Sequence, residues 1–316
     1  MKKVIVTGAT GMIGINLIKY LINNQVEVTA IIRPNSERKK YLDKLKNIKI
    51  VECELNNIEN ANIMEGDYDI IYHLAWEGTT GIFRNNIEMQ LRNVQYTLNT
   101  IKLAKRINCK RLIGAGSQAE YGRVEGKINE QTNVNPETAY GVAKLCAGRM
   151  GRILAEDLGI EFIWTRILSI YGEYDRKDTM VMSSIIKMIN GEMPKYTLAE
   201  QTWDYLYVQD VAKAMYLLGE KGKNGEIYCI GSGSEKKLRE YIEEIKNQIN
   251  PNLKLKFGQI PYSTNQVMRL CADISKLSQD TGFKPEISFE NGIKRTIKWY
   301  KENRKHEENK CNNTCI

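Results

Sequence analysis

Residues 3–14 read KVIVTGATGMIG. Val4-Ile5-Val6 is a short uninterrupted apolar run, the pattern of a buried strand. Gly8, Gly11 and Gly14 follow at a spacing of three, and INLIKYLINN (15–24) then carries apolar residues at helical intervals. Strand, glycine turn and helix together are the context in which a glycine motif signals a dinucleotide site. Glycines permit the tight turn and let the backbone approach a pyrophosphate, and the helix start offers it free N–H groups. The spacing is GxxGxxG, a departure from GxGxxG.

A second strand follows in VEVTAIIRPNSER (26–38). About 20 residues past the glycines an acidic side chain would hold adenosine ribose hydroxyls. Arg33 stands there instead, with Asn35, Ser36 and Arg38 as nearby donors. A guanidinium pairs with a 2′-phosphate that a carboxylate would repel, so the cofactor expected is NADP(H).

Working outward, strands are predicted near 3–7, 26–32, 48–53, 69–74, 110–115, 160–166 and 226–230, and helices near 13–23, 36–46, 85–107 and 138–158. Such alternation predicts an α/β protein, a doubly wound parallel sheet with right-handed crossovers. After Tyr171-Gly172 the pattern becomes irregular. The expected organisation is a dinucleotide-binding domain from 1–170 and 204–231, a smaller mixed α/β substrate lobe from 171–203 and 232–304, and a flexible tail over 305–316. The cleft between the lobes is the expected substrate position. Helices 85–107 and 138–158 carry apolar residues on more than one face, which predicts a homodimer.

Composition narrows the function. The 316 residues are 42% apolar, enough for a large core. No apolar stretch of about 18 residues occurs, and Met1-Lys2-Lys3 leads straight into a strand, so a cytoplasmic protein without membrane span or signal peptide is expected. The net charge is +8, but the cations interleave with Glu, which argues for a solvated surface over a nucleic-acid face. Seven cysteines, at 53, 109, 146, 229, 271, 311 and 315, form no CxxC pair. Neither a metal site nor a disulfide framework is expected. Only His73 and His306 exist, and His73 ends an apolar strand, so acid–base work falls to another residue type.

Tyr140 supplies it. Tyr140 and Lys144 lie at i, i+4 in ETAYGVAKLCAG (137–148), on one face of a helix. A phenol with a free pKa near ~10 trades its proton more easily beside a cation.

Several motifs in order, TGATGMIG, YHLAW, Asn93, GAGSQAEYG, YGVAK, RILSIYG, WDYLYVQD and IGSG, with the closing ADISKLSQDTGFKP, make the chain resemble an extended short-chain dehydrogenase/reductase. This superfamily contains nucleotide-sugar epimerases, 4,6-dehydratases and 4-ketoreductases. The resemblance covers residues 3–302. It implies Ser117, Tyr140 and Lys144 as the catalytic trio, Ser117 bonding the reacting carbonyl and Tyr140 acting as general acid. Lys144 would lower the phenol's pKa and hold the nicotinamide ribose. The cofactor would touch Gly8, Thr10, Gly11, Met12, Ile13, Gly14, Arg33, Arg38, Glu54, Leu55, Leu74, Ala75, Trp76, Asn93, Ala115 and Ile167. Gln118, Glu120, Tyr121, Ser169, Trp203 and Arg269 would face a nucleotide-diphosphate sugar, with Lys187 and Lys195 as further diphosphate donors.

Gln118 and Ala119 replace the Asp-Glu pair that dehydratases of the family carry, which argues against 4,6-dehydration. Trp203-Asp204 replaces the more usual Arg-Asp. The whole pattern is similar to reductases of 4-keto-6-deoxy nucleotide sugars, such as the CDP-abequose and CDP-paratose synthases. NADPH-dependent reduction of a 4-keto sugar is therefore expected. The alternatives are a C4 epimerase with tightly held dinucleotide and a non-catalytic NADP-binding sensor.

Overall fold

The computed structural model describes residues 1–313. In chain order the elements are β1 (Lys3–Thr7), α1 (Met12–Asn23), β2 (Glu27–Ile32), β3 (Ile48–Glu52), β4 (Ile70–His73), α2 (Ile87–Arg106), β5 (Arg111–Ser117), α3 (Ala139–Leu158), β6 (Glu161–Ile167) and β7 (Ser169–Tyr171). There follow α4 (Met180–Ile189), β8 (Thr202–Trp203), β9 (Tyr205–Tyr207), α5 (Val208–Lys221), β10 (Ile227–Ile230), β11 (Lys236–Lys237), α6 (Leu238–Ile249), β12 (Arg269–Leu270), α7 (Ser275–Thr281) and α8 (Phe289–Asn313).

Seven strands pair in the order β3-β2-β1-β4-β5-β6-β10, every neighbour parallel. The direction of winding reverses between β1 and β4, where open α/β sheets place their ligands. Alternation along β1 sends Val4 and Val6 into one core and Ile5 into the other. The first core is covered by Ile15, Ile18 and Leu21 of α1 and Val211, Met215 and Leu218 of α5. The second is covered by Val94 and Ile101 of α2 and Ala143, Ala147 and Ala155 of α3. Each fully buried branched side chain contributes roughly 1.5–3 kcal/mol, so a sheet sandwiched on both faces fixes its strand ends firmly.

A third core gathers Tyr171, Val181, Ile185, Tyr196, Tyr241, Ile242, Phe289 and Ile293. It is rich in aromatic contacts, among them Tyr241–Phe289 at 4.5 Å and Tyr171–Phe289 at 4.7 Å between centroids. Beside it β8 pairs antiparallel with β11 and parallel with β12, and β7 pairs with β9.

Two expectations need correction. The segment 36–46 is not an α-helix: a 3-10 turn covers Glu37–Tyr41 and gives way to turns. Only Leu42 is fully buried there, with Tyr41 and Leu45 partly so, too short an apolar stripe to hold a helix against the sheet. At the other end α8 runs on to Asn313, so residues 305–313, assigned to a flexible tail, are helical, in a run rich in good helix formers. Residues 314–316 lie outside the described residues. Among the described residues no helix is long and apolar enough to cross a membrane.

Candidate active site

The switch point between β1 and β4 is held shut by a small polar knot. Thr7 Oγ1 accepts from the Leu74 and Ala75 amides (3.2 Å each) and bonds His73 Nδ1 at 3.0 Å. His73 also meets Thr97 and Thr100 of α2, both at 3.3 Å. Burial, aided by the charge of Lys144, pushes its pKa down to about 3, so His73 is a neutral core residue.

The glycine turn fits a pyrophosphate. Gly8 has φ +63°, and a Cβ there would lie 2.7 Å from the Ala75 nitrogen. A Cβ on Gly14 would lie 2.3 Å from the Gly8 carbonyl oxygen. Gly11 precedes α1 without a side-chain cap, so Met12, Ile13 and Gly14 begin a helix whose first N–H groups face outward from the turn, an anion site by construction. A cavity of about 460 Å³ opens beside it, lined by Gly8, Thr10, Arg33, Leu55, Ala75 and Trp76. Ser36 reaches Thr10 Oγ1 at 3.5 Å, bringing the β2 loop to the same rim as Arg33. These residues fit a dinucleotide.

Other expected cofactor residues have different employment. Arg38 donates to the Tyr174 carbonyl at 2.7 Å, its Nε is buried without a partner, and burial lowers its pKa. It therefore braces the Tyr174 turn in place of joining Arg33. Asn93 is buried and spent on the loop after β4, accepting from the Glu77 amide (2.9 Å) and donating to the Glu77 carbonyl (3.0 Å). Its action on the site runs through that loop. Glu54 is exposed, next to the cavity-lining Cys53 and Leu55.

The trio converges at the carboxyl end of β5. Thr138 caps α3 by accepting from the Gly141 amide, which sets the phase that turns both Tyr140 and Lys144 inward. Lys144 is 3% exposed and donates to the Ala115 carbonyl at 2.5 Å. Its ammonium lies 3.5 Å from the Trp76 ring centroid, while Trp76 stands edge-on to Tyr140 at 6.1 Å and donates to Gln90. Burial drives the Lys144 pKa down to about 7. Burial raises that of Tyr140, opposed by the Ser117 hydroxyl and the Arg84 guanidinium. Ser117 Oγ accepts from the Ala119 amide, leaving its own hydrogen to give. Ala115 and Ile167 are packed in the core beneath, Ile167 in register with Ser117.

Two of the expected substrate residues are core residues. Glu120 is fully buried: Oε2 pairs with Arg166 at 2.7 Å, and Oε1 accepts from the Ser117 amide (2.9 Å) and the Trp164 indole (3.0 Å). It aims Ser117 and cannot meet a sugar. Tyr121 is buried, donating to the Asn129 carbonyl and touching the Cys229 thiol. Gln118 remains partly exposed beside Ser117. Arg269 is likewise committed, in a two-point pair with Glu235 (2.5 and 3.0 Å) and to the Glu125 carbonyl. Trp203 donates to Ser169 at 2.7 Å and lines a separate cavity of about 400 Å³ with Lys187, Lys195, Tyr196, Gln201 and Gln266. Sequence reasoning missed Arg84 and the Thr7–His73 knot; the first lies 56 positions from Tyr140, beyond any periodic signal.

Residues 4–231 match the model of the NAD dependent epimerase/dehydratase family. An uncharacterized protein of Methanocaldococcus jannaschii is 28% identical, with 96% of this chain and 97% of that protein covered. A dTDP-glucose 4,6-dehydratase of Escherichia coli is 26% identical over 97% of this chain and 95% of its own length. Among solved structures, the UDP-N-acetylglucosamine 4-epimerase from Methanobrevibacter ruminantium M1, in complex with UDP-N-acetylmuramic acid, superposes with a TM-score of 0.86 at 25% identity, covering 96% of this chain and 99% of that one.

Proposed function

The chain belongs to the NAD-dependent epimerase/dehydratase family, and on that premise we propose that it is an NADPH-dependent reductase of a nucleotide-linked 4-keto sugar. The observation that carries this is the buried Ser117–Tyr140–Lys144 cluster next to a phosphate-binding turn. Glu120, a carboxylate close to the trio, is locked to Arg166. Gln118 and Ala119 offer no proton chemistry, which speaks against dehydration.

Hydride transfer is the chemistry the dinucleotide supplies when bound. The Gly8–Gly14 turn would hold its pyrophosphate, Arg33 and Ser36 its 2′-phosphate, and Lys144 its ribose. As negative charge grows on the sugar carbonyl oxygen, Ser117 donates a hydrogen bond and Tyr140 gives up its proton. The 400 Å³ cavity with Lys187 and Lys195 would take the nucleotide diphosphate.

A 4-epimerase is the second reading, favoured by the likeness to the archaeal UDP-N-acetylglucosamine 4-epimerase. Arg33 is the residue that favours exchangeable NADPH over a resident NAD. The trio is intact, which stands against a non-catalytic sensor. Incubation with NADPH and a panel of nucleotide keto-sugars tests the proposal: stoichiometric loss of NADPH absorbance is expected, abolished in Y140F with NADPH binding retained. Interconversion of sugars without net oxidation would establish the epimerase.

We also propose a homodimer. Ile87 and Leu91 on α2 and Val142, Met150 and Ile153 on α3 are exposed, each set at helical spacing. An apolar stripe across two neighbouring helices suits self-association.

A further inference from the structure

The loop between β4 and α2 brings a second cation to the phenol. A 3-10 turn over Gly81–Asn85 places the Arg84 guanidinium carbon 4.4 Å from the Tyr140 ring centroid, closer than the Lys144 ammonium at 5.7 Å. The turn is held at three points. Arg84 donates to the Thr79 carbonyl at 3.1 Å, Asn85 Oδ1 accepts from the Ala139 amide at the start of α3 (3.1 Å), and Arg176 bonds the Thr80 hydroxyl. Arg176 is itself fixed by a two-point pair with Asp178.

We propose that Arg84 is a positioning residue that supplies the fixed positive charge at the Tyr140 phenol, the part assigned from sequence to Lys144. This rests on the reading of Tyr140 as the general acid. The groups facing Tyr140 are few. Its own helix contributes Lys144, β5 and the turn after it contribute Ser117 and Glu120, β4 contributes neutral His73 behind Lys144, and the 81–85 turn contributes Arg84. Glu120 opposes ionisation and is already neutralised by Arg166. Burial pushes the Lys144 pKa down to about 7 and raises that of Tyr140. A guanidinium keeps its charge throughout. Of the two cations Arg84 lies nearer the Tyr140 ring. An opposite charge within ~4–6 Å favours the ionised group, and an acid brought nearer the working pH transfers its proton more readily.

The test is the Tyr140 titration in the apoprotein, followed by NMR of 13Cζ-labelled tyrosine, with the resonance assigned by its loss in Y140F. R84Q is expected to raise the Tyr140 midpoint by at least about one pH unit, and R84K to restore most of it. In turnover the alkaline limb of the pH profile shifts in the same direction. A midpoint equal in wild type and R84Q, or absent in both up to the alkaline limit of folding, overturns the inference. So does a shift that R84K fails to reverse. Persistence of turnover in Y140F refutes the general-acid reading alone, since the titration shift stands independently of it.

Discussion

Replacing Lys144 with methionine should make the protein more stable while ending its turnover. Lys144 is buried, donates to the Ala115 carbonyl and is faced by the Trp76 ring, and among the described residues it forms no salt bridge. Its pKa falls from an ordinary 10.5 to about 7. At about 1.4 kcal/mol per pH unit this is a cost of about 5 kcal/mol for burying the charge. Methionine keeps a similar stem and volume. It forfeits the hydrogen bond, about 1 kcal/mol, and the cation–ring contact, up to about 2 kcal/mol. A net gain of about 2–4 kcal/mol is left at pH 6. The sign follows from linkage. Between pH 7 and 10.5 the unfolded lysine binds a proton that the folded one does not, so wild-type stability rises with pH across that window. The advantage of K144M is therefore full near pH 6, falls by about 2.7 kcal/mol at pH 9, and turns into a deficit before pH 10.5. Urea unfolding of both apoproteins, followed by circular dichroism at pH 6 and pH 9, measures it. A variant less stable at pH 6, or a gap that is the same at both values, would refute the reasoning.

Three other substitutions probe separate parts. E120A leaves Arg166 charged and buried and orphans the Ser117 amide and Trp164 indole, so a loss of about 3–5 kcal/mol is expected in denaturant unfolding. G8A must push the Ala75 backbone away at a positive φ, and NADPH binding measured by fluorescence titration should weaken at least about tenfold. R33E removes the proposed partner of the 2′-phosphate, and the preference for NADPH over NADH should fall about 10–100-fold in binding assays. For the proposed dimer, L91E with I153E puts charges on the exposed stripe and should yield a monomer in sedimentation velocity, where the unaltered chain is expected to sediment as a dimer.

The sheet was legible because its strands are buried on both faces and read as continuous apolar runs, Val4–Val6 and Ile70–Tyr72 among them. The caps of α2 and α3, Asn86 and Thr138, sit where the periodic pattern begins. Short segments were harder: 36–46 carries charges at helical spacing but too few apolar anchors. Within the site, Tyr140 and Lys144 were readable because one helix spaces them. Glu120, Tyr121 and Arg269 were misjudged because a motif names a position without telling whether its side chain turns inward, and each is occupied by a partner far along the chain: Arg166, Asn129 with Cys229, and Glu235. Arg84 was invisible for the same reason.

The Thr7–His73 knot has a consequence for redesign. Three threonines and one neutral imidazole, all without water access, weld the dinucleotide slot to the sheet and to α2, so that end of the molecule offers almost no room for adaptive change. The cavity around Trp203, Lys187 and Lys195 is open and built from short segments on a separate core. On the proposed assignment of this cavity to the nucleotide diphosphate, an engineer seeking a new nucleotide preference should randomise there and leave the slot untouched.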